Sequence, residues 1–256
     1  MSRRPRVFHE GPLVAGSSID LSTEEGRHLT RVLRLRPGDE VEVFDGLGGV
    51  ARGEVLECEG ETRVRLIRHA QAPCVPEFRL TLALCGLRPE RFEWAVQKAT
   101  ELGVAAFRPV SSRRTERGGV RASRLERIVL EACKQCGRNR LPDLLEPETL
   151  PLARPRGAEG WVLDGGAPAS LVDRLEEGSS APEALILAIG PEGGFETEET
   201  ARFVRDGWTA VRLGPRTLRA ETAALAAATL VLGRWGDLGS EEGPPGRWFS
   251  GPARPS

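Results

Sequence analysis

The chain lacks the features that mark membrane, secreted and disulfide-rich proteins. It contains no run of about 18 apolar residues, so we predict no membrane-spanning segment. The first residues, MSRRPRVFHEG, carry charge but no apolar signal-peptide core, and we therefore expect a cytoplasmic protein. The five cysteines are an odd and scattered set, which disfavours a disulfide framework and fits reduced thiols.

The sequence also offers little for metal binding. Cys133 and Cys136 form a lone CxxC, and the only histidines are His9, His28 and His69. A structural zinc site needs four Cys or His ligands at suitable spacing. We predict no metal site and interpret the CxxC as structural thiols on a helix.

Lysine is scarce, because all but Lys98 and Lys134 of the 36 Lys and Arg residues are arginine. The net charge of -1 hides a strong asymmetry along the chain. Residues 79–140 carry 14 basic and 6 acidic groups, whereas residues 1–78 carry 11 and 13, and residues 141–256 carry 11 and 18. A local basic face of this kind is typical of phosphate-backbone binding, and a solvated charge run is the alternative.

Residues 1–72 have the pattern of a small, mostly β domain. The stretches EVEVFDGLGG and RGEVLECEGETRVRLIRHA alternate apolar and polar residues around Asp-Gly and Gly-Gly turns. One helical stretch, TEEGRHLTRVLRL, interrupts them, with Thr23 as its predicted N-cap. We expect a barrel or a sandwich.

A second domain is predicted over residues 78–236. The linker AQAPCVPEF has two prolines and no periodicity, and after it strands alternate with helices in the order typical of a mainly parallel α/β sheet. The predicted helices include PERFEWAVQKATELG, TEETARFVRDG and AETAALAAATLVLGRW. The last helix is so poor in bulky side chains that either a close core contact or a symmetric helix interface is expected. Residues 237–256 are rich in Gly, Pro and Ser and are predicted to be disordered.

Two predicted strands end in loops that begin with the same Gly-Pro pair, at Gly190 and Gly214. They are GPEGGF after LILAI and GPRTLRAET after AVRL. Ligands of open α/β sheets bind outside the carboxyl ends of the strands. Glycine lets a ligand approach the main chain, and proline stiffens the turn. Either loop alone is compatible with an ordinary strand-to-helix turn, but two matched loops favour a binding site.

The composition of these loops excludes two common nucleotide-binding motifs. Neither loop has the lysine of a Walker loop, and Pro191 and Glu192 disrupt a dinucleotide-binding fingerprint. Acidic residues after the first loop also disfavour a phosphate, although acidic side chains suit any helix start. A ligand with a cationic centre and an adenosine would suit both loops.

These residues carry a resemblance to a known family. IGPEGGFETEE together with LGPRTLRAETAALAA resembles the 16S rRNA (uracil-N3)-methyltransferases of the SPOUT superfamily. HLTRVLRLRPGDEVEVFDG, QKATELGV and EACKQCGR also match, so the resemblance covers roughly residues 6–235. It implies an N-terminal PUA-like β-barrel, an α/β domain with a C-terminal trefoil knot, and a homodimer.

The resemblance also implies the reaction, a methyl transfer from S-adenosylmethionine to N3 of a uridine. The implied partner is 16S rRNA, either naked or within the 30S subunit. The implied cofactor-binding residues are Gly190, Pro191, Glu192, Gly193, Gly194, Leu213, Gly214 and Leu218. The sequence departs from the family pattern at two places. Glu196 stands where the family has Ser or Thr, which shifts the expected N-cap to Thr197. Ser112-Arg113-Arg114 stands in place of Ser-Glu-Arg, so only Arg114 carries over.

Methylation at N3 requires stabilisation of the charge that the base gains when its proton leaves, and fixed cations supply it. Arg219 is the first candidate for that role and Arg216 the second. The alternative for Arg219 is a purely structural pairing with Glu221, a residue that we interpret as structural. No histidine follows His69, so a histidine general base is not expected in the second domain.

Seven basic residues are candidates for RNA contacts. His28, Arg31 and Arg34 have helical spacing and could share a face. The basic segment adds Arg91, Arg114, Arg138 and Arg140. Two other functions remain open: a non-catalytic, ribosome-associated RNA-binding protein, and a small-molecule enzyme, for which a separate β domain and a basic segment have no evident use.

Overall fold

A computed structural model describes residues 4–58, 62–71, 78–112, 121–178 and 180–238. The described chain forms two compact units. The first contains residues 4–58 and 62–71 together with Cys133–Leu141, and the second contains the other described residues. The predicted linker and the predicted disordered tail lie almost wholly outside the described residues. No helix in the described part of the chain is long and apolar enough to cross a membrane.

The first unit is built on a five-stranded sheet. Its strands are β1 (Arg6–Phe8), β2 (Ser18–Asp20), β3 (Glu40–Phe44), β4 (Gly49–Glu57) and β5 (Arg63–Gln71). Their order is β1-β3-β4-β5-β2, with β1 parallel to β3 and the other pairs antiparallel. Alternate residues such as Val41, Val64 and Leu66 are fully buried in its core. The predicted mostly β character of this region is confirmed.

The single helix of this sheet region is shorter than predicted. Helix α1 (Thr23–Arg27) continues as a π-helical segment, His28–Val32. Its N-cap is Ser22, whose hydroxyl accepts a hydrogen bond from the Glu25 amide at 3.3 Å, so the prediction of Thr23 was wrong by one residue.

Arg34 ends the predicted helix, because its φ of 56° lies in the left-handed region. This turn lets the Leu35 amide reach the Leu29 carbonyl at 3.0 Å and lets Leu35 pack against the core. Burial of Leu35 therefore overrides the helical pattern. The prediction that His28, Arg31 and Arg34 share one helical face is therefore wrong, because Arg34 lies outside the helix.

The segment Cys133–Leu141 belongs to the first unit, although the sequence placed it in the second domain. Lys134 forms an ion pair with Glu25, and both side chains are almost completely buried. Arg6 donates to the side chain of Asn139, and the Leu141 amide donates to the Gly46 carbonyl at 2.9 Å. The sequence did not predict that this segment joins the first unit, because its contacts, such as Lys134 with Glu25, link residues far apart in the chain and no local pattern encodes them.

Cys133 is fully buried in this segment. Burial raises the pKa of its thiol to about 12, so the sulfur stays protonated at neutral pH. A protonated, buried thiol is a structural side chain and a poor metal ligand.

The second unit contains an eight-stranded parallel sheet. Its strands are β6 (Arg79–Cys85), β7 (Ala106–Ser111), β8 (Asp143–Leu144), β9 (Glu148–Thr149), β10 (Ala158–Leu163), β11 (Ala169–Ser170), β12 (Ala184–Ile189) and β13 (Thr209–Arg212). The order is β11-β13-β10-β12-β6-β7-β8, and β9 also pairs with β7. Every pair is parallel, which confirms the predicted sheet type.

Five helices accompany this sheet in sequence: α2 (Pro89–Leu102), α3 (Ala122–Cys136, whose last turn belongs to the first unit), α4 (Leu171–Glu177), α5 (Thr197–Arg205) and α6 (Ala220–Trp235). Helix α2 packs on α6, where Ala224, Ala227 and Ala228 are fully buried. The small residues of α6 thus form part of the core, which is the close core contact that was one of the two expectations for this helix.

The short elements β8, β9, β11 and α4 were not predicted, because strands of two residues and a helix of seven are too short for a readable period. The N-cap of α5 was also predicted wrongly. Glu196 is the N-cap, and it forms a reciprocal capping box with Glu199, whose carboxylate accepts from the Glu196 amide at 2.8 Å. A glutamate three residues after the cap makes this box possible and removes the need for Thr197.

Candidate active site

The two Gly-Pro loops lie at one edge of the parallel sheet. Strands β12 and β13 flank β10, so the carboxyl ends of the three strands follow one another along that edge. With strands about 4.8 Å apart, the starts of the two loops are separated by roughly 10 Å. This is the position in which α/β sheets bind ligands.

The loop Gly190–Glu196 after β12 is folded tightly. The Gly194 amide donates to the Pro191 carbonyl at 2.8 Å, and Gly194 has a φ of 71°. A Cβ at Gly190 would lie 3.0 Å from the backbone nitrogen of Phe195, so the chain returns close to its own start. Gly190 and Pro191 are buried, whereas the next three residues are exposed.

Two contacts fasten the end of this loop. The ring of Phe195 meets the ring of Phe203 edge-on, with centroids 5.2 Å apart, and both rings belong to a hydrophobic cluster on the sheet. The capping box at the start of α5 then fixes the direction in which the chain leaves. The loop is therefore held from both the core and the helix.

A third loop, not marked by any motif in the sequence, lies between the two Gly-Pro loops. It follows β10 as Asp164-Gly165-Gly166, and its Asp164 carboxylate accepts from the Gly166 amide at 2.9 Å. The Asp164 amide donates to the Val211 carbonyl on β13 at 3.0 Å. The double glycine after a predicted strand was the only available signal, and its central position depends on strand order.

The loop Leu213–Arg219 after β13 is more open. Leu213, Gly214 and Leu218 are half-buried, while Pro215 and Arg216 are exposed. Gly214 has a φ of 147°, and a Cβ there would meet no atom within 4 Å. Helix α6 starts directly after it, with Arg219 as an N-cap whose side chain makes no capping bond.

Arg91 connects the first loop to helix α6. Its Nη1 lies 2.7 Å from a carboxylate oxygen of Glu192 and 3.3 Å from a carboxylate oxygen of Glu221. Glu192 is thus both a predicted cofactor residue and an ion-pair partner. The structural alternative for Arg219 is not realised, because Glu221 pairs with Arg91 instead.

Neither Arg219 nor Arg216 has an ion-pair partner among the residues that the structure describes. Both side chains belong to exposed residues at the edge of the sheet. Two unpaired cations in one loop can face a negative charge on a substrate without first breaking a salt bridge.

The predicted RNA-contact residues are divided between the two units. His28, Arg31, Arg34, Arg138 and Arg140 belong to the first unit, and Arg91 belongs to the second. Arg114 lies outside the described residues. His28 and Arg138 are half-buried, while Arg31, Arg34 and Arg140 are exposed.

Other arginines of the first unit are occupied by carboxylates. Arg52 and Arg4 both pair with Glu40, and their hydrogen bonds lower the pKa of that carboxyl. Arg63 pairs with Asp20 and Arg65 pairs with Glu54, each on a neighbouring strand. Arg31, Arg34 and Arg140 have no ion pair within the described chain, so their charge remains available to a phosphate.

Comparison with known proteins identifies the family. Residues 75–232 match the model of an RNA methyltransferase domain, which is more than half of the chain, and residues 21–64 match that of an RNA methyltransferase PUA domain. The chain belongs to the RNA methyltransferase domain family. The resemblance found in the sequence motifs is thereby confirmed.

Individual members of the family are similar over most of their length. The ribosomal RNA small subunit methyltransferase E of Mycobacterium bovis is 33% identical over 86% of this chain and 89% of its own. A crystal structure of ribosomal RNA small subunit methyltransferase E from Neisseria gonorrhoeae, bound to S-adenosyl methionine, superposes with a TM-score of 0.81 at 30% identity over 91% and 99% of the two chains. A Legionella pneumophila methyltransferase in complex with the same cofactor gives a TM-score of 0.80 at 28% identity, over 90% and 98%.

Proposed function

We propose that this protein transfers a methyl group from S-adenosylmethionine to N3 of a uridine in 16S rRNA. The observation that carries the proposal is the sheet edge at which two Gly-Pro loops flank the β10 loop, in a family whose solved members bind that cofactor. The assignment of N3 as the methylated atom rests on the motif resemblance. From a ribosomal substrate we infer a cytoplasmic activity, on naked rRNA or on the 30S subunit.

The loops fit this cofactor. A Cβ at Gly165, Gly194 or Gly214 would meet no atom within 4 Å, so each of the three loops presents bare main chain to open space. Backbone amide and carbonyl groups can hydrogen-bond an adenosine and an amino-acid moiety without any phosphate-binding cation. The cofactor-binding residues that the family resemblance implies, Gly190 to Gly194 with Leu213, Gly214 and Leu218, are part of the proposal.

When bound, S-adenosylmethionine supplies an electrophilic methyl group. The chain has to stabilise the negative charge that uracil gains when N3 loses its proton. Arg219, exposed and without an ion-pair partner in the described chain, is our candidate for that role, with Arg216 second. All three histidines are in the first 69 residues, so no histidine of the second domain can act as the base. We therefore propose that the N3 proton passes to solvent and that electrostatic stabilisation of the uracil anion favours its loss.

The finer architecture is also part of the proposal. We infer a PUA-like β-barrel over residues 1–72, a SPOUT domain with a trefoil knot over residues 78–236, and a homodimer. The match to the PUA model and the parallel sheet support these inferences. The exposed basic residues Arg31, Arg34 and Arg140, together with the half-buried His28 and Arg138 of the same unit, are proposed to bind the rRNA.

A calorimetric titration with S-adenosylmethionine tests the proposal first. We expect the wild-type protein to bind and the Gly194→Trp variant not to bind, because an indole would fill the space above the loop. A side chain at this left-handed position costs about 1–2 kcal/mol of stability. Gly16→Trp is the matched control, since Gly16 also has a positive φ and open space but lies in the first unit.

Each outcome has a clear reading. Binding by the wild type and by Gly16→Trp, but not by Gly194→Trp, supports the cofactor site in the GPEGG loop. Equal binding by both variants would place the cofactor elsewhere. If the folded wild type bound small-subunit rRNA but no S-adenosylmethionine, even with the RNA present, the competing function of a non-catalytic RNA-binding protein would be favoured.

A further inference from the structure

Arg91 occupies a position that its own helix does not favour. It is the third residue of α2, whose first turn also contains Pro89 and Glu90. A cation in the first turn of a helix interacts unfavourably with the helix dipole, which stabilises acidic residues there instead. Its placement therefore calls for a compensating tertiary interaction.

Two carboxylates provide that compensation. Glu221 lies in the first turn of α6, with only 12% of its side chain exposed, and Glu192 lies in the GPEGG loop with 49% exposed. A single nitrogen of Arg91 contacts both. The second carboxylate oxygen of Glu221 is buried without a partner among the described residues, so Arg91 is the ion-pair partner that the structure gives this group.

We propose that Arg91 is a positioning residue that holds the GPEGG loop in its cofactor-binding shape. The largely buried Glu221 anchors the guanidinium, and the guanidinium holds Glu192 and the loop that carries it. The two loops are joined in this way, because Glu221 follows the second loop and Glu192 belongs to the first. This inference rests on the proposed function of the loops and differs from the RNA contact predicted for Arg91 from its sequence.

The contact is expected to act on binding more than on folding. The ion pair of Arg91 with the half-exposed Glu192 should contribute little to stability, often below about 1 kcal/mol, and any stability lost in Arg91→Gln should come from the largely buried Glu221 that it leaves unpaired. A loop that is mobile before binding must be ordered when the ligand arrives, and a contact that orders it beforehand removes that cost. The effect of losing Arg91 should therefore appear in the affinity for S-adenosylmethionine.

A double-mutant cycle tests the proposal. Arg91→Gln and Glu192→Gln should each weaken S-adenosylmethionine binding by roughly three- to tenfold. The double variant should be no weaker than Arg91→Gln alone, because Arg91→Gln already removes the contact that Glu192→Gln breaks. Arg88→Gln is the matched control: Arg88 is the N-cap of the same helix, is exposed and has no ion pair within the described chain.

Hydrogen exchange on the cofactor-free protein provides a second readout. Amides of residues 190–196 should exchange several-fold faster in Arg91→Gln and Glu192→Gln than in wild type or Arg88→Gln. Unchanged exchange, or effects of the two substitutions on affinity that simply multiply, would overturn the proposal. So would an Arg91→Gln variant that loses rRNA affinity alone. A wild type that fails to bind S-adenosylmethionine would count against the proposed function, while the exchange comparison would still decide on Arg91.

Discussion

The two Gly-Pro loops begin alike and are held very differently. In the first, Gly190 and Pro191 are buried, Phe195 packs on Phe203, and the next helix starts with a capping box. In the second, most residues are exposed, and the helix starts at Arg219 without a side-chain cap. An identical dipeptide thus introduces one loop that the fold fixes and one that it leaves open.

The difference suggests a division of labour at this sheet edge. A fixed loop can bind a cofactor through its main chain at little ordering cost, since the geometry exists before binding. An open loop with unpaired cations can accommodate a large substrate and direct charge toward the reacting base. We therefore expect substitutions in the first loop to change affinity and stability, and substitutions of Arg216 and Arg219 in the second to change turnover.

The largest expected effect is on turnover by Arg219→Ala. Loss of one preorganised charge-stabilising group typically lowers kcat by about 100- to 1000-fold. Methylation of 30S subunits under saturating cofactor measures it, and calorimetry should show S-adenosylmethionine binding largely retained. Arg216→Ala serves as the comparison in the same loop and should lower kcat less. An Arg219→Ala enzyme of full rate would remove this residue from the mechanism.

A smaller effect is expected from crowding the fixed loop with Gly190→Ala. The new Cβ would lie 3.0 Å from the Phe195 nitrogen and 3.1 Å from its ring, so either the loop or the ring must shift. Overpacking of this kind costs about 1–3 kcal/mol, measurable by urea unfolding, and should weaken cofactor binding as well. Gly165→Ala is the control at the same edge, because its Cβ would meet nothing within 4 Å. Equal losses in both variants would contradict a tightly folded first loop.

Much of this fold was predictable because local signals agreed with tertiary packing. Helix α6 spans Ala220–Trp235, as the sequence pattern predicted, and Pro89 and Gly103 mark the ends of α2. Where burial competes with local pattern, the prediction failed. Leu35 turns back into the core and takes Arg34 out of the helix.

The site was predictable in composition but not in arrangement. Both Gly-Pro loops could be read from the sequence, whereas the β10 loop between them depends on the strand order β13-β10-β12. Arg91 and Glu192 are 101 positions apart, so their contact is encoded only by the folded chain. Conversely, the alternative pairing of Arg219 with Glu221 rested on sequence proximity, and Arg91 pairs with that carboxylate instead.

The smallest expected effect concerns the helix starts that follow the two loops. Helix α5 already has a capping box at Glu196, whereas α6 has an arginine at a position where Ser, Asp and Asn are preferred. Arg219→Ser should therefore be about 0.5–2 kcal/mol more stable than Arg219→Ala in urea unfolding, because the hydroxyl can accept a bond from a free amide of the first turn. Both variants should show the same large loss of turnover. Equal stability of the two would mean that these amides are already satisfied, and the second loop would then be less open than its exposure indicates. A gain in stability with a loss of turnover would instead mean that the arginine is kept for its chemistry at the expense of the helix that it begins.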